Sequence, residues 1–469
     1  MSVQKIKFGT DGWRAEIGID YTIDNVARVT EATANWLLKQ GENKQVVIGH
    51  DCRYGGAMFA ETAAWIFASK GIKVKLASGF VSTPMVSLGV VKSESDLGIV
   101  ITASHNPPSY NGFKIKGSFG GPLQPELIAE IEAMIPDESS FEPRNRSLAA
   151  VADSVTDIDL EEMYLKHVEE NFDLEAIRNS DLNFAYDAMY GAGQSVMKKI
   201  LPNCTFLHCD DNPGFKGQAP EPIHRNLQEF SDLIKDSGSI ASGLATDGDA
   251  DRIGLYNSKG EFVDSHHIIL LLIQYLVEQK KMTGKVVTAF SVSPRIAALC
   301  KHFGLEQEVT KIGFKYVSGV MLKDDVLLGG EESGGIAIKG HIPERDGIWM
   351  GLVVWEYMVK SGKSLEQLIN DVYEIVGSFT YNRIDLHLTE EQKQRAIDAC
   401  KSDKIKSVGG RDVQEVETID GFKFHFQEGE WLMVRPSGTE PVLRVYAEAS
   451  GMDKTNEILE AAREQLVNV

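Results

Sequence analysis

The sequence is poor in several features that would settle its class at once. Cysteine is scarce: Cys52, Cys204, Cys209, Cys300 and Cys400 are the only five in 469 residues. None forms a Cys-x-x-Cys pair, and an odd, sparse set suits a reducing compartment rather than a disulfide framework. Cys204 and Cys209 flank His208, but the spacing matches no common zinc pattern, so inert buried thiols are expected there. Long apolar runs are missing too. The longest, around Ile268–Ile273, falls far short of the ~20 residues that span a bilayer. The first ten residues carry no apolar signal core, and the cytoplasm is the expected location. Positive charge is in deficit, with 48 Lys and Arg against 68 Asp and Glu and a formal net charge of −20. That balance argues against nucleic acid or an anionic membrane as partner. A small anionic substrate stays open. Screening acts over roughly 8 Å, so a local cluster of Arg and Lys can govern its own pocket.

What is present is ordinary for a globular protein: 43% hydrophobic and 25% charged residues. The chain is too long for one core, and about three or four domains are expected. Strand-like apolar runs repeatedly end in loops of Gly, Ser, Asp or Asn, often with a helical stretch behind them. Examples are Val46–Ile48 before Asp51-Cys52-Arg53, Leu97–Ile101 before Ser104-His105-Asn106, Leu244-Ala245 before Asp247, and Val326–Leu328 before Gly330-Glu331. Such alternation predicts α/β domains with mixed or parallel sheets. Ligands in those sheets gather beyond the carboxyl ends of the strands. The tail differs. Strand signals at Tyr381–Leu386, Phe422–Phe426, Trp431–Arg435 and Leu443–Glu448 mix with helices at Glu390–Ala399 and Lys454–Asn468, a small α+β pattern. Polar or irregular stretches near Pro143–Asp153, Asn257–Gly260 and Gly377–Thr380 place the expected domains at 1–150, 151–258, 259–378 and 379–469.

Five clusters carry chemistry-bearing residues. In Thr102–Pro108, Ser104 follows an apolar strand and precedes a rigid Pro-Pro turn, which can present its hydroxyl as a nucleophile or phosphoryl carrier. Lys114, ten residues on, can balance phosphate charge or move protons. In Thr246–Arg252, the carboxylates of Asp247, Asp249 and Asp251 alternate. Hard oxygens so placed suit Mg²⁺, with Arg252 beside them for a phosphate. An EF-hand is excluded because Ser258, not Glu, stands twelfth and the run follows a strand. In Gly329–Gly335, glycines admit a ligand close to backbone while Glu331 and Ser333 can reach sugar hydroxyls. In Arg435–Pro441, with Arg444 behind it, an Arg fork joins the hydroxyls and backbone of Ser437, Gly438 and Thr439 in an anion nest. Gly9–Arg14 offers Arg14 as a further cation. Each cluster alone also reads as a polar turn, since turns favour these residues.

Together and in order, Gly9–Arg14, Thr102–Pro107, Asp247–Arg252, Gly330–Gly334 and Arg435–Pro441 resemble the α-D-phosphohexomutase family, which includes phosphoglucomutases and phosphomannomutases. The resemblance spans most of the chain. It implies three similar α/β mixed-sheet domains plus a smaller C-terminal α+β domain around a central cleft. It implies Ser104 as a phosphoserine whose phosphate oxygen completes an Mg²⁺ site with Asp247, Asp249 and Asp251. It further implies transfer between hexose 1-phosphate and hexose 6-phosphate through a hexose 1,6-bisphosphate, which also serves as the catalytic activator. Arg435, Ser437, Gly438, Thr439 and Arg444 would hold the phosphate that is not reacting. Arg252, Gly313, Lys315, Glu331 and Ser333 would bind substrate, while Arg14, His105 and Lys114 would assist proton transfer and charge balance.

Gly330-Glu331-Glu332-Ser333-Gly334 looks more like glucose-type members than the Gln-containing form of phosphoglucosamine mutases, and Gly313-Phe314-Lys315 resembles a glucose-type specificity loop. Gly335 stands where bifunctional glucose/mannose enzymes often have His. Arg345 stands where many phosphoglucomutases have Lys. Arginine does not release its proton in proteins, so Arg345 is expected to bind phosphate or hydroxyl rather than act as a base. The expected substrate is a glucose phosphate, with mannose as a second. An amino-sugar mutase and a noncatalytic sugar-phosphate binder remain as alternatives.

Overall fold

The computed structural model describes residues 5–142, 147–402, 405–436 and 442–468. The first sheet holds β1 (Trp13–Glu16), β2 (Gln45–His50), β3 (Lys73–Phe80), β4 (Leu97–Ile101), β5 (Tyr110–Gly117) and β6 (Val155–Ile158), in the order β1-β5-β4-β2-β3-β6. The second holds β7 (Asn183–Asp187), β8 (Thr205–Leu207), β9 (Ile240–Thr246), β10 (Ile253–Asn257) and β11 (Phe262–Val263), in the order β11-β10-β9-β7-β8. The third holds β12 (Lys285–Ala289), β13 (Gln307–Thr310), β14 (Val326–Gly330) and β15 (Ile336–Ile338), in the order β13-β12-β14-β15. A fourth, of β16 (Thr380–His387), β19 (Glu415–Glu417), β20 (Phe422–His425), β21 (Trp431–Pro436) and β22 (Val442–Ala449), is antiparallel, with β17 (Ser407-Val408) and β18 (Arg411-Asp412) forming a small pair beyond it. The α/β reading and the α+β tail are both realised.

Strands follow two of the polar stretches closely. β6 lies C-terminal to residue 150 and pairs in parallel with β3. The turn at 257–260 joins β10 to β11, which pair antiparallel within one sheet.

The strand pattern follows burial. β4 (Leu-Gly-Ile-Val-Ile) is buried at every position, as a central strand covered on both faces must be. Helices begin at side-chain caps: Thr22 accepts from Asn25 N–H, Ser82 from Met85 N–H and Asp346 from Trp349 N–H. The chain divides into two compact units, residues 1–287 with 313–369, and residues 288–312 with 370–469. In the first, Trp13, Tyr21, Phe59, Phe67 and Ile101 belong to a core around the first sheet. In the second, Leu432, Val434, Val445 and Leu459 pack the fourth sheet against the helix Met452–Val467. Among the described residues, no helix is long and apolar enough to cross a membrane.

Candidate active site

Two strand ends and one strand of the first unit build the site around Ser104 and the acidic loop. The loop after β4 carries Ser104, the loop after β9 carries Asp247, Asp249 and Asp251, and β5 carries Lys114. Ser104 is fully buried. Its hydroxyl donates to Asp247 Oδ2 at 2.6 Å and lies 3.2 Å from His105 Nδ1. Both loops bend through left-handed backbone, with φ of 52° at Ser104 and 56° at Ala250. Such strain in residues other than glycine persists only where surroundings enforce it. The two loops also touch: a Cβ on Gly248 would stand 2.5 Å from the Ser104 carbonyl oxygen, so only glycine fits there.

The acidic loop meets the fit expected of a cation site. One oxygen from each of Asp247, Asp249 and Asp251 lies within 4.8 Å of the others, and all three residues are buried. Asp249 Oδ1 and Asp251 Oδ1 are buried without a hydrogen-bond partner. Buried carboxylate oxygens left in that state are unfavourable unless something binds them, and a hard divalent cation is the natural occupant. Asp247 Oδ1 accepts the N–H groups of Asp251 and Arg252 at 2.9 and 3.1 Å, curling the loop around its first aspartate. Among the described residues this is the only group of three such side chains gathered closely enough to share a cation. Burial pushes the thiols of Cys204 and Cys209 up to about 12, as inert thiols require.

Cations surround the carboxylates. Lys114 Nζ, 1% exposed, donates to Asp249 Oδ2 at 2.8 Å and Asp251 Oδ2 at 2.9 Å, and lies 2.7 Å from Asp11 Oδ2. Burial alone would lower its pKa, but Asp11, Asp249 and Asp251 outweigh that and hold it well above the usual range. Lys114 therefore stays protonated and balances charge. Arg345 Nη2 lies 2.6 Å from Asp251 Oδ2 and pairs with Asp11. Burial opposes its charge, and Asp11, Asp251, Glu344 and Glu331 override burial. Asp247 moves the other way: burial, with Asp251 and Asp249 adding to it, raises its pKa well above the carboxylate range. Burial and the neighbouring Arg252, Arg14, Lys114 and Arg53 push His105 well below its ordinary value, so its ring is neutral.

The remaining expected residues of this unit take defined places. Arg14, on β1, donates through Nη1 to Asn106 Oδ1 at 2.7 Å. Arg252 makes a backbone bridge to Gly335, which brings the 330–335 turn against the acidic loop. In that turn Glu331, 5% exposed, accepts the Gly313 N–H at 2.9 Å. Burial raises its pKa, against the pull of Arg345 and Arg252. Ser333 is partly exposed in the same turn, and Lys315 Nζ lies 5.5 Å from the centre of the Tyr316 ring. In the second unit Arg435 and Arg444 face each other across β21 and β22, and Arg435 donates to both oxygens of Asp420 at 3.3 Å. Ser437, Gly438 and Thr439 lie outside the described residues.

Sequence reasoning gave no role to Asp11 or Thr83. Asp11 is approached by Lys114, Lys116, Arg14 and Arg345. Its place in Gly9–Arg14 was a usable signal. Thr83 had none. Its N–H donates to the Asp249 carbonyl oxygen at 3.0 Å and its hydroxyl to Asp249 Oδ2 at 2.5 Å.

Comparison with known proteins covers the chain from end to end. Four family models match in order: "Phosphoglucomutase/phosphomannomutase, alpha/beta/alpha domain I" at residues 5–142, domain II at 162–260, domain III at 264–376, and the C-terminal domain at 384–465. A phosphoglucomutase/phosphomannomutase of Thermococcus kodakarensis is 29% identical over 458 residues, covering 97% of this chain and 96% of the relative. A phosphoglucosamine mutase of Methanococcus maripaludis is 32% identical over 425 residues, covering 89% and 90%. A crystal structure from Thermus thermophilus, assigned as a phosphomannomutase, superposes with a TM-score of 0.88 at 31% identity and covers 99% of both chains.

Proposed function

We propose that this chain, which belongs to the phosphoglucomutase/phosphomannomutase family, moves a phosphoryl group between O1 and O6 of a glucose phosphate by way of Ser104. It is an enzyme, a phosphohexomutase: an intramolecular phosphotransferase of the isomerase class. The observation that carries the finer reading is the Ser104 hydroxyl, 2.6 Å from the first of three converging buried aspartates.

Phosphoryl transfer needs positioning and charge stabilisation more than covalent chemistry from the protein. Asp247, Asp249 and Asp251 would hold Mg²⁺, which when bound neutralises developing charge on the transferred group. Phospho-Ser104 donates to the free hydroxyl of a hexose 1-phosphate. The bond from phosphorus to Ser104 Oγ breaks, a bond to O6 forms, and the O6 proton is relayed to Ser104 Oγ, which is left as a hydroxyl. The 1,6-bisphosphate turns over and returns its other phosphoryl group to Ser104 Oγ: the bond from phosphorus to O1 breaks, and the Ser104 proton passes through an adjacent acceptor to O1. Neutral His105 and Asp247 both touch that hydroxyl. Protonated Lys114 and Arg14 counter the phosphate charge. Glu331 and Ser333 bind sugar hydroxyls, with Arg252, Gly313, Lys315 and Arg345 completing the substrate contacts. Arg435, Ser437, Gly438, Thr439 and Arg444 hold the phosphate at rest.

The test is Ser104→Ala. Intact mass should show a phosphorylated wild type, and the variant should lose mutase turnover while still binding sugar phosphate. Retained turnover in that variant would refute the phosphoserine. A second reading, glucosamine phosphate as preferred substrate, has support in the 32% identity to a phosphoglucosamine mutase. Turnover of glucose, mannose and glucosamine 1-phosphates, each with the matching bisphosphate present, decides between them.

A further inference from the structure

Arg53 lies on the loop after β2, and its side chain is completely sealed from solvent. The guanidinium collects the carbonyls of the serine loop. Nη2 donates to the carbonyl oxygens of Ser104 at 2.6 Å and Asn106 at 2.7 Å. Nη1 donates to those of Pro107 at 2.9 Å and Tyr110 at 3.1 Å. The Phe215 ring covers the group, with its centre 4.9 Å from Cζ. Asp51 completes the network. It lies 3.3 Å from Arg53 Nε, accepts the Arg53 N–H at 2.9 Å and accepts the Thr102 hydroxyl at 2.5 Å. Thr102 Oγ1 in turn accepts the Ser104 N–H at 2.9 Å. Both backbone polar groups of Ser104 therefore end on one buried assembly, at a residue whose φ of 52° needs outside support.

We propose that Arg53 is a positioning residue for phosphoryl transfer: through four loop carbonyls it fixes the backbone turn that aims Ser104 Oγ at the acidic loop. The inference rests on the reading of Ser104 as phosphoryl carrier. Arg53 bonds to backbone oxygens and not to the Ser104 hydroxyl. Lysine is a poor substitute, because three donors on one nitrogen cannot meet four carbonyls that a planar fork with five N–H groups reaches. A small displacement of a reacting atom is enough to lower a rate by about 10²-fold.

The experiment compares wild type, Arg53→Lys and Arg53→Gln. It reads kcat, KM, melting temperature, and the rate at which dephosphorylated enzyme gains one phosphoryl group from glucose 1,6-bisphosphate by intact mass. In Arg53→Lys, kcat and the phosphorylation rate should both fall ~30-fold while KM stays within about threefold, as a displaced nucleophile requires. Arg53→Gln, which loses the charge as well, should fall further. If Arg53→Gln fails to fold, the lysine variant still decides. Unchanged kcat per folded molecule in Arg53→Lys overturns the proposal. So does a raised KM at constant kcat, which would make Arg53 a ligand contact. A wild type that never gains a phosphoryl group on Ser104 would sink the parent reading instead.

Discussion

Lys114 on β5 and Lys423 on β20 are both nearly sealed from solvent, at 1% and 4% exposure. Burial disfavours an ammonium in either place. Lys114 nevertheless keeps its proton far above the ordinary range, because Asp11, Asp249 and Asp251 stand against it. Lys423 donates to the carbonyl oxygens of Phe290 and Val292 at 3.1 and 2.9 Å and lies 4.3 Å from the centre of the Trp431 ring. Burial dominates there, against the weaker pull of Glu417 and Glu448, and lowers its pKa to about 8. Depth is equal and the pKa shifts are opposite, so contact with carboxylates decides their direction. The Lys114 site concentrates opposite charges that a phosphate and a divalent cation can rearrange. The Lys423 site spends one amine on holding a loop in place.

The sharpest way to break that contrast is Asp249→Asn, which removes a carboxylate from Lys114 and an oxygen from the proposed cation site. Turnover should drop ~10³-fold, at the upper end of what loss of one preorganised electrostatic group does. Calorimetric titration with Mg²⁺ should show binding lost or greatly weakened. A variant within tenfold of wild type that still binds Mg²⁺ would take Asp249 out of the site.

Lys114→Met comes next. Loss of a fixed positive charge beside the transferring group should lower kcat ~10²-fold. It also leaves three buried carboxylates to repel one another. Added Mg²⁺ should therefore raise the melting temperature of Lys114→Met by more than it raises that of wild type, since a ligand bound only by the folded state stabilises it. Equal shifts would mean that the lysine does not shield the acidic loop.

How much of this was legible depends on the kind of order involved. Ser104, Asp247, Asp249 and Asp251 stood out because each sits where an apolar strand stops, and local pattern marks strand ends. Leu97–Ile101 matched its strand to the residue for the same reason. Arg345 was legible as a site residue, but its pairing with Asp251 was not. That contact joins residues far apart in the chain, which no local period encodes. Thr83 begins a helix behind a Ser82 cap and reads as an ordinary N1 residue. Its hold on Asp249 arises only when two separate sheets bring their loops together. In these cases the fold class was written in local sequence, and the wiring between loops was left to tertiary packing.

Thr83→Val tests the quieter part of that wiring. It removes one hydroxyl from Asp249 Oδ2 and leaves Lys114 and the backbone bond from residue 83 in place. A hydrogen bond to a charged carboxylate contributes about 1.5 kcal/mol or more, so kcat should fall ~10-fold, with Mg²⁺ affinity reduced to a similar degree. No change in either would show that Lys114 orients Asp249 unaided.

Lys423→Met probes the other pole of the comparison, and its readout is a slope. The folded pKa near 8 lies below the ordinary lysine value of 10.5. Between those values the unfolded chain holds the proton more tightly, so stability rises with pH across the window. The burial penalty is fully present below pH 8 and is gone above pH 10.5. At 1.36 kcal/mol per pKa unit it amounts to on the order of 3 kcal/mol. Methionine removes the titration and also strands the carbonyls of Phe290 and Val292, an effect that does not vary with pH. The melting temperature of wild type minus that of Lys423→Met should therefore grow by about 5 °C from pH 7.5 to pH 10, whatever its starting value. A gap that stays flat would mean that Lys423 holds its proton as tightly inside the fold as outside it. The Trp431 face and two carbonyl oxygens would then offset the whole burial penalty with no carboxylate in contact, and the contrast with Lys114 would weaken to one of degree.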